Sequence, residues 1–123
     1  MKVLLSIKPE FALKIFEGTK RYEYRRSIFK RGGVRKIVVY ASDPIKKIVG
    51  EFEIGGILHE EPQSLWDKTK IHAGISKDRF FEYFRDKPKG YAIEVKAIQI
   101  YDMPVTLRHF LIASPPQSFR YLG

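Results

Sequence analysis

The residues with the most capacity for chemistry in this 123-residue chain lie together, in Gly18-Thr19-Lys20-Arg21-Tyr22-Glu23-Tyr24-Arg25-Arg26. Lys20, Arg21, Arg25 and Arg26 surround one acid, Glu23, with Tyr22 and Tyr24 between them. A lysine at a turn supplies a point charge or, when desolvated, a base or nucleophile. In an extended segment Glu23 and Arg25 project from one strand face, two residues or about 7 Å apart. A carboxylate beside cations keeps a low pKa and accepts firmly from a base edge or a ribose hydroxyl. Arg25 can offer a bidentate fork to a phosphate or carbonyl. The same residues would also make a solvated charge ladder on an exposed strand, so charge and spacing alone leave both readings open.

Lys30, Arg31, Arg35 and Lys36 continue the basic stretch, with Phe29 among them. Cations interleaved with aromatics suit single-stranded nucleic acid, where phosphates meet cations and bases find stacking faces. Against this, Tyr22, Tyr24 and Phe29 also fit core or cross-strand positions, Tyr22 and Tyr24 especially. Ser42, Gln117 and Ser118 are polar groups at turns or extended positions, where binding residues collect. His59, His72 and His109 are far apart and form no metal-ligand spacing. No G-x-S-x-G, Walker loop or dinucleotide fingerprint occurs. With no cysteine, disulfides, thiolate zinc sites and thiol nucleophiles are excluded. No metal and no cofactor is expected.

The elements that must position these groups follow from periodicity. Val3 to Ile7 reads as a buried strand. Pro9 opens a helix with Phe11, Ala12, Ile15 and Phe16 on one face, and Gly18 ends it in a left-handed cap. Arg21 to Arg25 alternates as a strand, with the tyrosines on one side and Arg21, Glu23 and Arg25 on the other. Arg31-Gly32-Gly33 is a turn. Val34 to Ala41 and Ile45 to Leu58 are strands joined by Ser42-Asp43-Pro44, and Gly50 and Gly55-Gly56 predict bulges in the second. Pro62 starts a short helix carrying Leu65 and Trp66. Ser76 is an N-cap signal, with Ile75 and Phe80 placed as a hydrophobic staple. Phe80, Phe81 and Phe84 face the core, and Lys87-Pro88 stops that helix. In Tyr91 to Tyr101 the apolar phase is odd at Ile93 and Val95 but even at Ile98 and Ile100, which predicts a bulge near Lys96-Ala97. Thr106 is placed to cap a short last helix, and Pro115-Pro116 commits the tail to an extended path. Bent strands with inserted helices, in a chain of one-domain length (1–123), predict an α+β fold whose sheet curls into a β-barrel with helices around it and over its ends.

Net charge is +9, and all of it lies in the first 47 residues, which hold 13 Lys and Arg against Glu10, Glu17, Glu23 and Asp43. The remaining 76 residues hold 10 bases and 10 acids. Such a one-sided positive field attracts polyanions by charge and counterion release. No apolar run approaches the roughly 20 residues of a membrane span, and the first residues carry no cleavage signal, so a cytoplasmic protein without membrane attachment is expected.

Four stretches together, LLSIKPEFA, IFEGTKRYEYR, YASDPIKKIVGEF and GYAIEV, resemble the ASCH domain, a small module of the PUA-like superfamily. The pattern G-x-K-x-x-E-x-R is met at Gly18, Lys20, Glu23 and Arg25, and the PPQSF tail is similar to that of small archaeal and bacterial stand-alone members. The resemblance covers nearly the whole chain. It implies a PUA-like β-barrel with helices packed around it and a cleft beside the Lys/Glu/Arg segment, in a family usually associated with RNA. Some members are metal-independent amidohydrolases that deacylate N4-acetylated cytidine. In those, a lysine matching Lys20 is the activating or nucleophilic group, a threonine stands where this chain has Glu23, and a further acid precedes the second inserted helix. Here that stretch reads His72-Ala73-Gly74, leaving Glu60, Glu61 or Glu82 as possible sources of the acid.

Three readings result. The first is an RNA- or nucleotide-binding module whose basic cleft uses Lys20, Glu23, Arg25 and Arg26, with Lys30, Arg31, Arg35 and Lys36 tracking the backbone and Ser42, Gln117 and Ser118 at its rim. The second is an amidohydrolase acting on N4-acylated cytidine-type nucleosides, with Lys20 and Glu23 at the chemical centre. The third is a basic interaction domain for an acidic protein.

Overall fold

Val3, Leu4, Leu5 and Ile7 are almost wholly shielded from solvent, as a strand covered on both faces must be. In a computed structural model, which describes residues 1–122, they belong to β1 (Lys2–Ile7). Then come α1 (Pro9–Glu17), β2 (Tyr22–Arg25), β3 (Lys36–Ala41), β4 (Lys47–Glu60), α2 (Pro62–Thr69), α3 (Lys77–Tyr83), β5 (Gly90–Val105) and β6 (Phe119–Leu122). Short 3-10 turns cover Lys70–His72 and Leu107–Phe110. The six strands form one mixed sheet in the order β2-β5-β4-β3-β1-β6. Among the described residues only β1 and β3 pair in parallel, with α1 and β2 in the connection between them.

The α+β class is as expected. The closed barrel is not found: β2 and β6 are the sheet's two ends, and among the described residues no ladder joins them. Each is only four residues long and spends its pairing on one neighbour, β2 on β5 and β6 on β1. The two ends are linked instead by a side chain. Arg25 on β2 donates to the carbonyls of Ser6 on β1 (3.3 Å) and Ser118 just before β6 (3.1 Å).

The bends that bring the ends together sit where the glycines and the phase slip placed them. The four residues from Ile54 to Ile57 of β4 stand opposite the three from Val95 to Ile93 of β5, so Gly55-Gly56 carries the extra residue. Another register shift falls at Gly50, against both β3 and β5. Between Gln99 and Lys96 of β5 the surplus is on the β5 side, and Ala97 takes a positive φ of 46° there. One face of the sheet packs Val3, Leu5, Ile37, Val39, Phe52 and Ile93 against Ala12 and Ile15 of α1. The other face of β1 and β3 packs Leu4, Val38 and Tyr40 against Ile48 and Ile112. A third cluster joins α2 and α3 to β2 and β5 through Leu65, Phe80, Phe84, Tyr24 and Ala92.

Gly18 ends α1 at φ 89°, so β2 starts only four residues after the helix stops. Ser76 caps α3, accepting from the Arg79 N–H at 3.3 Å, and Ile75 packs with Phe80 as the staple requires. Removing that cap in Ser76→Ala should cost about 1 kcal/mol, read as a lowered denaturant midpoint with an unchanged slope. Thr106 precedes the last helical turn without donating or accepting a capping bond, and that turn is 3-10. The tail beyond Pro115-Pro116 is more than extended, because Phe119–Leu122 pairs with β1 as a sixth strand.

Candidate functional site

The parallel ends of the α1–β2 unit and the start of α3 leave a hollow of about 820 Å³. That is within the range of roughly 300–1,000 Å³ typical of small-ligand sites. β2 supplies its floor, and here Lys20, Glu23 and Arg25 meet. Lys20 is 2% exposed although it is a lysine. The chain buries it by wrapping: Arg21 N–H donates to the His72 carbonyl at 2.9 Å, so residues 72–74 lie directly over the lysine stem. Gly74 has φ +64°, and a Cβ there would fall 2.5 Å from Lys20 Cβ. Lys20 Nζ donates to the Ala73 carbonyl at 2.7 Å and sits 4.6 Å from the Tyr24 ring centroid and 5.1 Å from that of Phe11.

This surrounding holds the cation with ring faces and one carbonyl rather than with a carboxylate contact. Burial pushes the Lys20 ammonium down to a pKa of about 8, only partly offset by the field of Glu23, with Lys14 adding to the fall. A lysine in that range exchanges its proton near neutrality, which an exposed one does not. Glu23 is 6% exposed, and its Oε2 accepts from Arg25 at 3.1 Å. Arg25 is therefore fully engaged, with Glu23, the carbonyls of Ser6 and Ser118, and Ser118 Oγ at 3.3 Å. It shapes the floor more than it offers a free fork.

The walls come from Phe11, read in the sequence only as a helix-face residue, and from residues of which the sequence reading singled out Glu82 alone. Phe11 of α1 lies beneath the Arg79 guanidinium (4.9 Å to the centroid), and Arg79 is held by Glu10 at 2.8 Å. Asp78, Glu82 and Tyr83 of α3 face the same hollow, as does Lys8 after β1. Burial raises the Tyr83 hydroxyl above its usual range. Of the acids considered as partners for Lys20, Glu82 is at the site, while Glu60 is held by Lys68 and Ser64 at the start of α2. The i, i+4 spacing of Asp78 and Glu82 on a capped helix was the available signal for this wall.

The other expected site residues separate. Gln117 lines the hollow and Ser118 touches Arg25. Arg26 borders the site but donates to the Tyr83 and Arg85 carbonyls at the end of α3. Ser42 is a turn residue whose N–H donates to the Ile7 carbonyl and whose carbonyl takes the Ile45 N–H, and it does not line the hollow. Lys36 pairs with Glu51, which Lys2 and Tyr101 also contact. Lys30, Arg31 and Arg35 lie toward the opposite end of β1, where Arg35 N–H donates to the Met1 carbonyl. Tyr24 and Phe29 are core residues, and Tyr22 packs beside the α2–α3 cluster. Among the described residues no three His, Cys, Asp or Glu side chains group as a metal site, and no helix is long and apolar enough to cross a membrane.

Known proteins share this fold. The crystal structure of ASCH from Zymomonas mobilis superposes with a TM-score of 0.91 at 28% identity, covering 99% of this chain and 87% of that one. The curated ASCH domain-containing ribonuclease of Zymomonas mobilis is 27% identical over 98% of this chain and 84% of its own length. The large ribosomal subunit protein uL22 of Ureaplasma parvum matches 98% of this chain at 27% identity, and there the chain spans only 39% of the relative's length. The model of a domain of unknown function, DUF365, matches residues 2–115. The chain belongs to the DUF365 family and is an ASCH domain protein.

Proposed function

We propose that the protein binds single-stranded RNA, with one nucleotide lodged in the hollow against Lys20. The observation that carries this reading is the burial of Lys20 at 2% exposure between two aromatic rings, with Ala73 as its hydrogen-bond acceptor. A buried cation costs stability, and here it is kept in the floor of a cavity with room for a nucleotide. Tyr83 supplies an apolar face for a base, and Lys8 at the rim supplies a cation for its phosphate. The likeness to a ribonuclease over nearly the whole chain supports the same substrate class. The test is fluorescence anisotropy with a labelled oligoribonucleotide, comparing the wild type with Lys20→Met. We expect at least a tenfold loss of affinity in the variant, and equal affinities would overturn the reading.

A second reading puts chemistry in the same hollow, favoured by the near-neutral Lys20 amine and by Asp78 and Glu82 on the facing wall. In its neutral form Lys20 would take the proton from an attacking hydroxyl and, as the ammonium so formed, return it to the leaving group, with Asp78 and Glu82 accepting hydrogen bonds from the substrate. On an RNA strand the attacking group is the 2′-hydroxyl, and the products are a 2′,3′-cyclic phosphate and a free 5′-hydroxyl. On an N4-acylated cytidine, water attacks the acyl carbon and the cytosine amine leaves. Product analysis of both substrates decides between these reactions, and intact substrates across pH 6–9 would leave binding alone. The protein would act in the cytoplasm as a single 1–123 module in either case.

A further inference from the structure

The basic excess of the first 47 residues is only partly spent at the hollow, which takes Lys8, Lys20 and Arg25. Residues 27–35 read Ser-Ile-Phe-Lys-Arg-Gly-Gly-Val-Arg, three cations and no acid. Several cations elsewhere are tied to carboxylates, Lys2 and Lys36 to Glu51, Arg79 to Glu10 and Lys68 to Glu60. Lys30 and Arg31 are exposed and make no ion pair among the described residues.

They are nevertheless held in place. The Tyr121 hydroxyl accepts both the Lys30 N–H (2.9 Å) and the Arg31 N–H (3.0 Å), and the Arg31 guanidinium lies 4.7 Å from the Tyr121 ring centroid. The backbone of both residues and the Arg31 guanidinium are thus placed beside β6 with no carboxylate to neutralise them, which suits an incoming anion. Tyr121 belongs to β6, and the residue just before β6, Ser118, touches Arg25 in the floor of the hollow. From Ser118 to Tyr121 is three residues of extended chain, about 10 Å. β6 is an edge strand, so nothing in the sheet covers that path.

We propose that Lys30 and Arg31, anchored on Tyr121, form a second phosphate-binding subsite for the RNA strand whose end nucleotide occupies the hollow. This rests on the RNA-binding reading and adds its length requirement. At about 3.4 Å per stacked nucleotide, a span of about 10 Å takes roughly three further nucleotides. Strands shorter than about four nucleotides reach the hollow but not the subsite, and longer ones reach both.

The test uses oligouridylates of two, four, six and eight nucleotides against wild type, Lys30→Gln/Arg31→Gln and Lys20→Met. The glutamines keep both backbone N–H groups for Tyr121, and unchanged melting temperatures check the fold. For the six- and eight-mers the Lys30→Gln/Arg31→Gln variant is expected to bind about tenfold more weakly, with a log–log salt slope shallower by about 1.4, the single-strand value for two contacts. The dimer is expected to bind both proteins equally. Equal affinity and slope at every length would overturn the subsite while leaving the hollow intact. Equal losses for dimer and octamer would overturn the length requirement. Normal binding by Lys20→Met, with loss only in the glutamine variant, would instead overturn the hollow as a nucleotide site and with it the role of Lys30 and Arg31 as a second subsite.

Discussion

Arg25→Ala should lose about 3–5 kcal/mol of folding stability, the usual result of removing one partner from a buried ion pair. Glu23 is 6% exposed and has Arg25 as its ion-pair partner, so the variant strands a carboxylate away from water. The same guanidinium joins β2 to Ser6 and Ser118, which makes it the tie between the two ends of an open sheet. Such a loss is roughly a fifth or more of the stability of an ordinary small domain. Urea denaturation measures it. Arg25→Lys should recover little, because an ammonium cannot reach several acceptors lying in different directions as a planar fork does. Glu23→Gln/Arg25→Ala should recover part of the loss, since a neutral amide tolerates burial better than an orphaned carboxylate. If Arg25→Ala is as stable as the wild type, Arg25 is a free ligand group and the open sheet is held by its core alone. This also means that an alanine at Arg25 does not test binding by itself, as a folding defect would accompany any loss of ligand.

Local rules carried most of the fold. The helix starts at Pro9, Pro62 and Ser76, the stop at Gly18 and the bulges at Gly50, Gly55-Gly56 and Ala97 each follow from one residue's backbone preference or one break in phase. The closure of the sheet was not legible in this way, because it turns on whether two four-residue edge strands find each other across the whole chain. β6 was hidden for a related reason: Phe119-Arg120-Tyr121-Leu122 is too short to show a strand period, and its pairing with β1 lies more than 110 residues away in sequence.

The candidate site divides along the same line. Lys20, Glu23 and Arg25 stand close in sequence, and their spacing put them on one surface. What sequence could not tell was which of these charges is free. Charge counting treats Lys20, Arg25, Lys30 and Lys36 alike, yet Arg25 is consumed by four acceptors, Lys36 shares Glu51 with Lys2, and Lys20 is buried under residues 72–74. Of the α3 wall only Glu82 stood out in the sequence; the i, i+4 spacing of Asp78 and Glu82 was the one local sign, and only the docking of α3 against β2 turns Asp78, Glu82 and Tyr83 toward the hollow.

Lys20→Met should make the protein more stable at neutral pH while removing its ligand. The folded-state pKa of Lys20 is about 8 against an ordinary 10.5. At 1.36 kcal/mol per pH unit, that gap corresponds to about 3 kcal/mol opposing folding. The sign follows from proton counts. Between about pH 8 and 10.5 the unfolded chain holds the Lys20 proton and the folded chain has released it, so wild-type stability rises with pH through that window. Below about pH 8 both states are protonated and the full cost is present. Methionine fills the same slot between Phe11 and Tyr24 without a charge, so the variant should exceed the wild type by up to about 3 kcal/mol at pH 7. The advantage should vanish as the pH approaches 10.5. Denaturation of both proteins at pH 7, 8.5 and 10 reads the difference directly, and a pH-independent difference would mean that Lys20 titrates as an exposed lysine does. A residue that is costly where it stands and whose removal also abolishes RNA binding is one kept for its chemistry. The converse, a stabilised Lys20→Met that binds RNA as before, would mean that the buried charge serves neither fold nor ligand.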